Sequence, residues 1–144
     1  MPEGNFLDLG HIEGVGELRL YYEVLNRDPN LVFLHGVTSN HTMFHPYIEH
    51  FQAKGFGTLA YDHRGDGKST HIPIQRHHTP GANVSDLEHL LEAEGIGHAT
   101  LIGQSLGGMI AQFYAIEHPS RVDAIVLIST SYDLTKTYGR NALN

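Results

Sequence analysis

A serine between two glycines is the feature of this sequence that points most directly to chemistry. The segment Gly103-Gln104-Ser105-Leu106-Gly107 follows the apolar run 99–102 and precedes a second apolar run, 109–116. This order predicts a sharp strand-to-helix turn that exposes the serine hydroxyl at the end of a sheet. Glycines suit such a turn because a β-carbon would clash where the backbone closes tightly. The predicted chemistry is nucleophilic attack by Ser105 on a substrate carbonyl, with an ordinary helix N-cap as the alternative.

A serine hydroxyl needs a base, and the sequence offers few candidates near position 105. Only 39 residues follow Ser105, and no histidine occurs beyond His118. We expect His118 and His98 at the wrong end of the sheet, since one ends a helix that starts at the serine and the other precedes a strand. The loop histidines His71, His77 and His78 could approach the strand ends, but no pattern favours them.

His41 and His45 have the i, i+4 spacing of two zinc ligands on a helix. Pro46 suits the first helical position, however, which would leave His41 outside the helix. The sequence shows no obvious third ligand. We therefore expect these histidines on a solvated surface, and we predict neither a metal nor a cofactor.

Apolar runs that alternate with helix-like segments predict the scaffold that positions Ser105. The expected strands are 18–24, 31–34, 56–61, 99–102 and 122–128, with helices near 44–51, 84–91 and 109–116. Such an alternation predicts an α/β fold, a mostly parallel doubly wound sheet with helices on both faces. Chemistry in these sheets gathers at the carboxyl ends of strands, where His35-Gly36, Asp62 and Ser105 all lie. We expect one domain over residues 1–144.

Composition and charge exclude several classes of function. Hydrophobic residues make up 40% of the chain and charged residues 17%, as is typical of a globular protein. The net charge of −7 disfavours nucleic acid and anionic membranes as partners. The absence of cysteine excludes disulfides and thiolate metal sites. No signal peptide or membrane-spanning window is visible, so a cytoplasmic protein is expected.

Four motifs in this order resemble the α/β-hydrolase family, in its serine hydrolase branch. They are the serine turn extended by Gly108, the strand-end motif His35-Gly36-Val37, the loop 62–69 (DHRGDGKS) and the stretch 117–122 (EHPSRV). The resemblance covers nearly the whole chain, but only the N-terminal half of a complete member. It implies an α/β-hydrolase-like domain that is truncated before the last strands and the cap.

The resemblance also implies roles for individual residues. The backbone N–H groups of Val37 and Leu106 would form the oxyanion hole, and the His35 ring would hold the oxyanion loop. The residues expected to support this site are Gly36, Gly103, Gln104, Gly107, Asp62 and Arg64, the last two as loop anchors. Asp133 stands where some members place the catalytic acid, with a simple loop or cap residue as the alternative.

The expected function is that of a serine hydrolase acting on a carboxylic ester or related acyl bond through an acyl-enzyme at Ser105. Activity of this chain should be weak or absent, because the catalytic histidine is missing. The expected partner is a small-molecule acyl substrate, with neither nucleic acid nor membrane. Alternatives are a non-catalytic binding module and a subunit completed by another chain. The uncharged apolar strand 124–128 motivates the last of these, including a homo-oligomer formed through this sheet edge.

Overall fold

A six-stranded sheet forms the centre of the part that the computed structural model describes, residues 4–73 and 78–133. The strands are β1 Gly4–Ile12, β2 Gly16–Leu25, β3 Leu31–Leu34, β4 Thr58–Tyr61, β5 Ala99–Gln104 and β6 Val122–Ile128. Their order across the sheet is β1-β2-β4-β3-β5-β6. The β1–β2 and β2–β4 pairs are antiparallel, whereas β4, β3, β5 and β6 run parallel. The predicted α/β class with a mostly parallel sheet is confirmed.

Within the described ranges, three α-helices cover the two faces of this sheet. They are α1 His45–Ala53, α2 Pro80–Ala93 and α3 Leu106–Glu117, and a 3-10 turn, His41–Phe44, leads into α1. The Thr79 side chain caps α2 by accepting a hydrogen bond from the Ala82 N–H. A proline stands in the first turn of α1 and of α2, where a missing N–H costs nothing.

Side chains of the central strands alternate between two hydrophobic clusters. Val32 and Leu34 of β3 face the larger cluster with α2 and α3, while Phe33 faces a smaller one with Phe44 and Ile48. A strand that is buried on both faces needs an unbroken apolar sequence, which is what residues 31–34 provide. This burial fixes the strand ends that carry the candidate site.

The structure differs from the sequence prediction mainly at the antiparallel edge. Strand β1 was not predicted, because most of its side chains are exposed and its pairing shifts register between Asp8 and His11. Strand β4 begins at Thr58, two residues later than expected. No helix in the described part of the chain is long and apolar enough to cross a membrane.

Candidate active site

Ser105 occupies the turn between β5 and α3 in a conformation that side chains rarely adopt. Its backbone has φ 51° and ψ −115°, and it is the residue before the first helical position. Two contacts hold this conformation: the Ser105 N–H donates to the Ile128 carbonyl at 3.0 Å, and the Thr130 hydroxyl donates to the Ser105 carbonyl at 2.6 Å. Residues held in such regions by their surroundings are concentrated at functional sites.

Close backbone approach explains the glycines around this turn. A β-carbon on Gly107 would overlap the Leu34 carbonyl, and one on Gly103 would overlap the backbone of Gly107. Glycine at these positions lets α3 begin directly against β3 and β5. The turn therefore places Ser105 next to the loop that follows β3.

The loop after β3 packs directly on the serine turn. A β-carbon on Gly36 would overlap the Gln104 side chain and lie 3.3 Å from the Ser105 Cβ. Val37 follows, and it lines the same cavity as Leu106. In the described residues, neither the Val37 N–H nor the Leu106 N–H donates a hydrogen bond to another protein group. Both amide groups that the resemblance assigned to an oxyanion hole are thus available to a ligand.

The cavity beside these amides has a volume of about 400 Å³. Its lining combines a mainly apolar surface with several titratable side chains; the residues are Val37, Thr38, His63, Arg64, Asp66, His78, Asn83 and Leu106. Sequence reasoning missed His63 and Asp66 as site residues, although both follow β4 within the motif 62–69. His78 was considered only as a loop histidine that could approach the strand ends, and no signal pointed to Asn83, because the fold alone brings the start of α2 to this edge.

His35 and His63 lock the loop after β3 to the loop after β4. The His35 Nδ1–H donates to the Gly36 carbonyl at 2.7 Å, and the His63 backbone N–H donates to His35 Nε2 at 3.0 Å. In return, His63 Nε2–H donates to the His35 carbonyl at 2.8 Å. Burial lowers the pKa of both rings, that of His63 to about 3, so both are neutral. His35 is therefore a positioning residue.

Asp62 and Arg64 anchor the same loops. Asp62 is fully buried and accepts hydrogen bonds from the backbone N–H groups of His41 (2.7 Å) and Lys68 (2.8 Å). Burial alone would raise the pKa of Asp62, but these bonds and one from the His41 ring outweigh it, so the pKa is lowered. Arg64 forms a buried two-bond pair with Asp86 of α2, with both distances 2.6 Å. These contacts tie the loop after β4 to the segment before α1 and to α2.

The other histidines considered as a base in the sequence analysis lie at several places in the fold. His98 pairs with Asp123 before β5, and His118 lies at the end of α3 near Glu88. His71 is exposed, and His77 lies outside the described residues. For His41 the prediction of a solvated side chain is wrong. It is only 3% exposed, because its ring is enclosed by Glu23 and Asp62.

The described structure brings no base to the serine hydroxyl. Ser105 Oγ has no hydrogen-bond partner among residues 4–73 and 78–133. His78, which lines the cavity, uses its Nε2 in a 2.8 Å hydrogen bond with the Ile72 carbonyl. Asp133 follows β6, and its backbone N–H donates to the Ser131 hydroxyl at 3.2 Å. The described residues thus place the Ser105 hydroxyl beside two N–H groups that donate to no protein group, but they provide no base that is hydrogen-bonded to Ser105.

A more open cavity lies at the opposite end of the sheet. It has a volume of about 550 Å³ and is lined by the loops before β3 and β5, with Asp28, Asn30 and His98 among its residues. This cavity is larger than the one beside Ser105. It lies at the amino ends of the strands, however, where parallel sheets do not place their chemistry.

Comparison with known proteins gives consistent matches to hydrolases. The sequence profile of the alpha/beta hydrolase fold family matches residues 29–143. The sn-1-specific diacylglycerol lipase ABHD11 of Danio rerio is 38% identical over 109 residues, which are 75% of this chain and 33% of the lipase. The proline iminopeptidase of Lactobacillus helveticus is 35% identical over 117 residues, which are 76% of this chain and 40% of the peptidase.

Solved structures give the same result for the fold. A crystal structure from work on carboxylesterases of Nitrososphaera gargenis matches with a TM-score of 0.78 at 29% identity, over 96% of this chain and 56% of that protein. The chain spans 33% to 40% of the length of the two curated relatives named above. The family profile covers most of the chain, and its relatives are hydrolases. The chain belongs to the alpha/beta hydrolase fold family.

Proposed function

We propose that this chain supplies the nucleophile and the oxyanion-binding amides of a serine hydrolase that acts on a carboxylic ester or related acyl bond. The observation that carries the proposal is the conformation of Ser105, which has a positive φ in a strand-to-helix turn. The turn lies beside the Val37 and Leu106 N–H groups, which donate no hydrogen bond to the described protein. A serine that merely capped α3 would accept a hydrogen bond from a helix N–H group through its side-chain oxygen. Ser105 makes no such bond.

In the proposed reaction, Ser105 Oγ attacks the acyl carbon and its proton passes to a base. The carbonyl oxygen becomes an oxyanion that accepts hydrogen bonds from the Val37 and Leu106 N–H groups. Leu106 is the first residue of α3, so the helix dipole adds to this stabilisation. Collapse of the intermediate breaks the bond to the leaving alcohol, which takes up a proton. Water then attacks the acyl-serine ester and releases the acid.

The rate of this chain should be low, because no described histidine can act as an efficient base for Ser105. His63 lines the cavity, but its pKa of about 3 makes its ring a poor proton acceptor at neutral pH. Without a base, Ser105 Oγ must pass its proton to water, so attack through Ser105 is slow. We propose that the base and the acid of the complete site come from outside the described residues.

The substrate class is proposed from the chemistry of the site together with the relatives. The lipase and the carboxylesterase are named for ester substrates, and the iminopeptidase is named for an amide-type bond. All of these reactions develop an oxyanion that a pair of N–H groups can stabilise. A carboxylic ester is the substrate class that most of these names share.

The experiment is release of nitrophenolate from short-chain aryl esters by the chain and by Ser105→Ala. We expect slow turnover that falls about tenfold or more in the variant, because the covalent pathway is lost. Circular dichroism would verify that both proteins are folded. Equal rates for the two proteins would contradict the proposal and would favour a non-catalytic binding module.

A second candidate function is that of a subunit whose sheet continues into another chain through β6. The side chains of Ile125, Val126, Leu127 and Ile128 are 37% to 45% exposed, and β6 is an edge of the described sheet. An exposed apolar edge strand is a template for pairing unless it is covered. Light scattering tests this candidate: we expect a dimer or larger species that Val126→Lys dissociates, and a monomeric chain would contradict it.

A further inference from the structure

Three side chains away from Ser105 form a cluster that the proposed hydrolase reaction does not use. Glu23 lies on β2, His41 begins the 3-10 turn after β3, and His45 begins α1. One ligand atom from each residue lies within 4.8 Å of the other two. His41 Nε2 is 3.1 Å from Glu23 Oε1, and His45 Nε2 is 3.3 Å from Glu23 Oε2.

These separations match the edges of a metal coordination shell. Zinc binds histidine nitrogen and carboxylate oxygen at about 2.0–2.2 Å in tetrahedral geometry, which sets ligand atoms roughly 3.3 Å apart. The two nitrogen–oxygen distances, 3.1 and 3.3 Å, lie near this value, but they involve different oxygens of Glu23, so the His45 ring must rotate for all three residues to meet one ion. The His45 side chain is 42% exposed, so its ring can rotate to complete the third edge.

Hydrogen bonds outside the cluster orient its ligand atoms. His41 Nδ1 lies 2.8 Å from Asp62 Oδ1, and this hydrogen bond directs the Nε2 end of the ring at Glu23. The Tyr21 hydroxyl donates to Glu23 Oε1 at 2.9 Å. A carboxylate that holds the remote nitrogen of a ligating histidine is the usual support of a zinc site.

A cation fits between the facing atoms of His41 and Glu23, as either a proton on the ring or a metal ion. His41 Nε2 lies 3.1 Å from Glu23 Oε1, in side chains only 4% and 9% exposed. Two buried acceptors repel each other unless a proton or a metal ion bridges them. The carboxylates of Glu23 and Asp62 also balance the charge of a divalent ion.

We propose that Glu23, His41 and His45 bind one Zn²⁺ ion, with Asp62 positioning His41 and with water in the fourth place. Two imidazoles and one carboxylate suit zinc, and the half-exposed side of His45 leaves room for the water. The ion would tie β2 to the segment between the oxyanion loop and α1. Its role is structural support of that loop, and it is independent of whether Ser105 is a nucleophile.

Zinc titration of the chelator-treated chain tests this proposal. Calorimetry should show one Zn²⁺ per chain, and the ion should raise the melting temperature. His45→Ala and Glu23→Gln should each weaken binding roughly tenfold or more, as losses in zinc coordination shells do. The matched control is His50→Ala, an exposed histidine of the same helix, which should bind like the parent chain.

Cobalt spectroscopy separates this site from loose surface binding. Co²⁺ in a four-coordinate protein site gives intense visible bands, and these should appear with the parent chain and His50→Ala but not with His45→Ala. Circular dichroism before metal addition would verify the fold of each variant. No one-to-one binding by the parent chain, or equal binding by His45→Ala, would overturn the proposal and leave a proton as the bridge between His41 and Glu23.

Discussion

Ser105 is held in a conformation that costs energy, and named contacts supply the compensation. A non-glycine residue outside the common backbone regions costs about 1–3 kcal/mol. The hydrogen bonds to Ile128 and from Thr130 fix both sides of the residue. A position that only capped a helix would need neither the strain nor these restraints.

Ser105→Gly and Ser105→Ala form a matched pair that measures this strain. Glycine adopts φ 51° without strain because it has no β-carbon, whereas alanine keeps the β-carbon and the clash it causes. We expect the glycine variant to be about 1 kcal/mol more stable than the alanine variant, although glycine loses more entropy on folding. Urea denaturation of both variants gives the difference. If alanine were the more stable of the two, the turn would not be strained.

His63 should make stability depend on pH below neutrality. Its pKa is 6.5 in the unfolded chain and about 3 in the fold, mainly because of burial and also because His35 lies beside it. Between these values the unfolded chain binds the extra proton, so the free energy of unfolding falls as pH falls, by about 1.4 kcal/mol per unit for one proton. Asp62 is the facing carboxylate, and it opposes the shift only in part.

His63→Gln isolates this contribution from that of the other histidines. The glutamine amide can still donate to the His35 carbonyl but does not titrate. The free energies of unfolding of the two proteins, measured from pH 7.5 to 4.5, should become more similar as the pH falls. The reason is that only the parent chain loses the His63 contribution. Parallel curves would show that His63 is not the group responsible.

At the scale of elements, the approach of α3 to β3 is what places the serine turn beside the oxyanion loop. This approach depends on Gly107, where a β-carbon would overlap the Leu34 carbonyl. Strand β3 pairs in parallel with β5, the strand that leads into the serine turn. The geometry of the site is therefore set by helix–strand packing as much as by the loops.

Gly107→Ala should destabilise the chain by about 3 kcal/mol, since the new methyl group forces α3 away from β3. Gly81→Ala is the matched control, because Gly81 is also helical and has open space around its β-carbon position. There the change should be neutral or stabilising by up to about 1 kcal/mol. Chemical denaturation compares the two variants, and similar losses in both would refute the packing argument.

The elements show why some features were predictable and others were not. Strands β3, β4 and β5 are mostly apolar and buried, so local sequence predicts their burial. Strand β6 is also apolar, but most of its residues are exposed because it is an edge of the described sheet. The exposed strand β1 has no such run. His41 was predicted to be solvated because its partners, Glu23 and Asp62, are distant in sequence and meet it only in the fold.

At the scale of the whole molecule, the candidate site lies where three strand ends meet. The residues after β3, β4 and β5 supply the oxyanion loop, the anchoring Asp62 and Ser105. That convergence follows from parallel pairing, and it was predictable from the order of motifs. The position of the histidine that would complete a triad was not, since no described histidine contacts Ser105.

Mass spectrometry of the chain after treatment with a fluorophosphonate shows whether Ser105 acts as a nucleophile. We expect slow formation of a single adduct that peptide mapping places on Ser105. The adduct should be lost in Ser105→Ala and kept in Ser85→Ala, a control serine on α2. An unmodified chain after prolonged treatment, or an adduct on another residue, would contradict the assignment of Ser105 as the nucleophile.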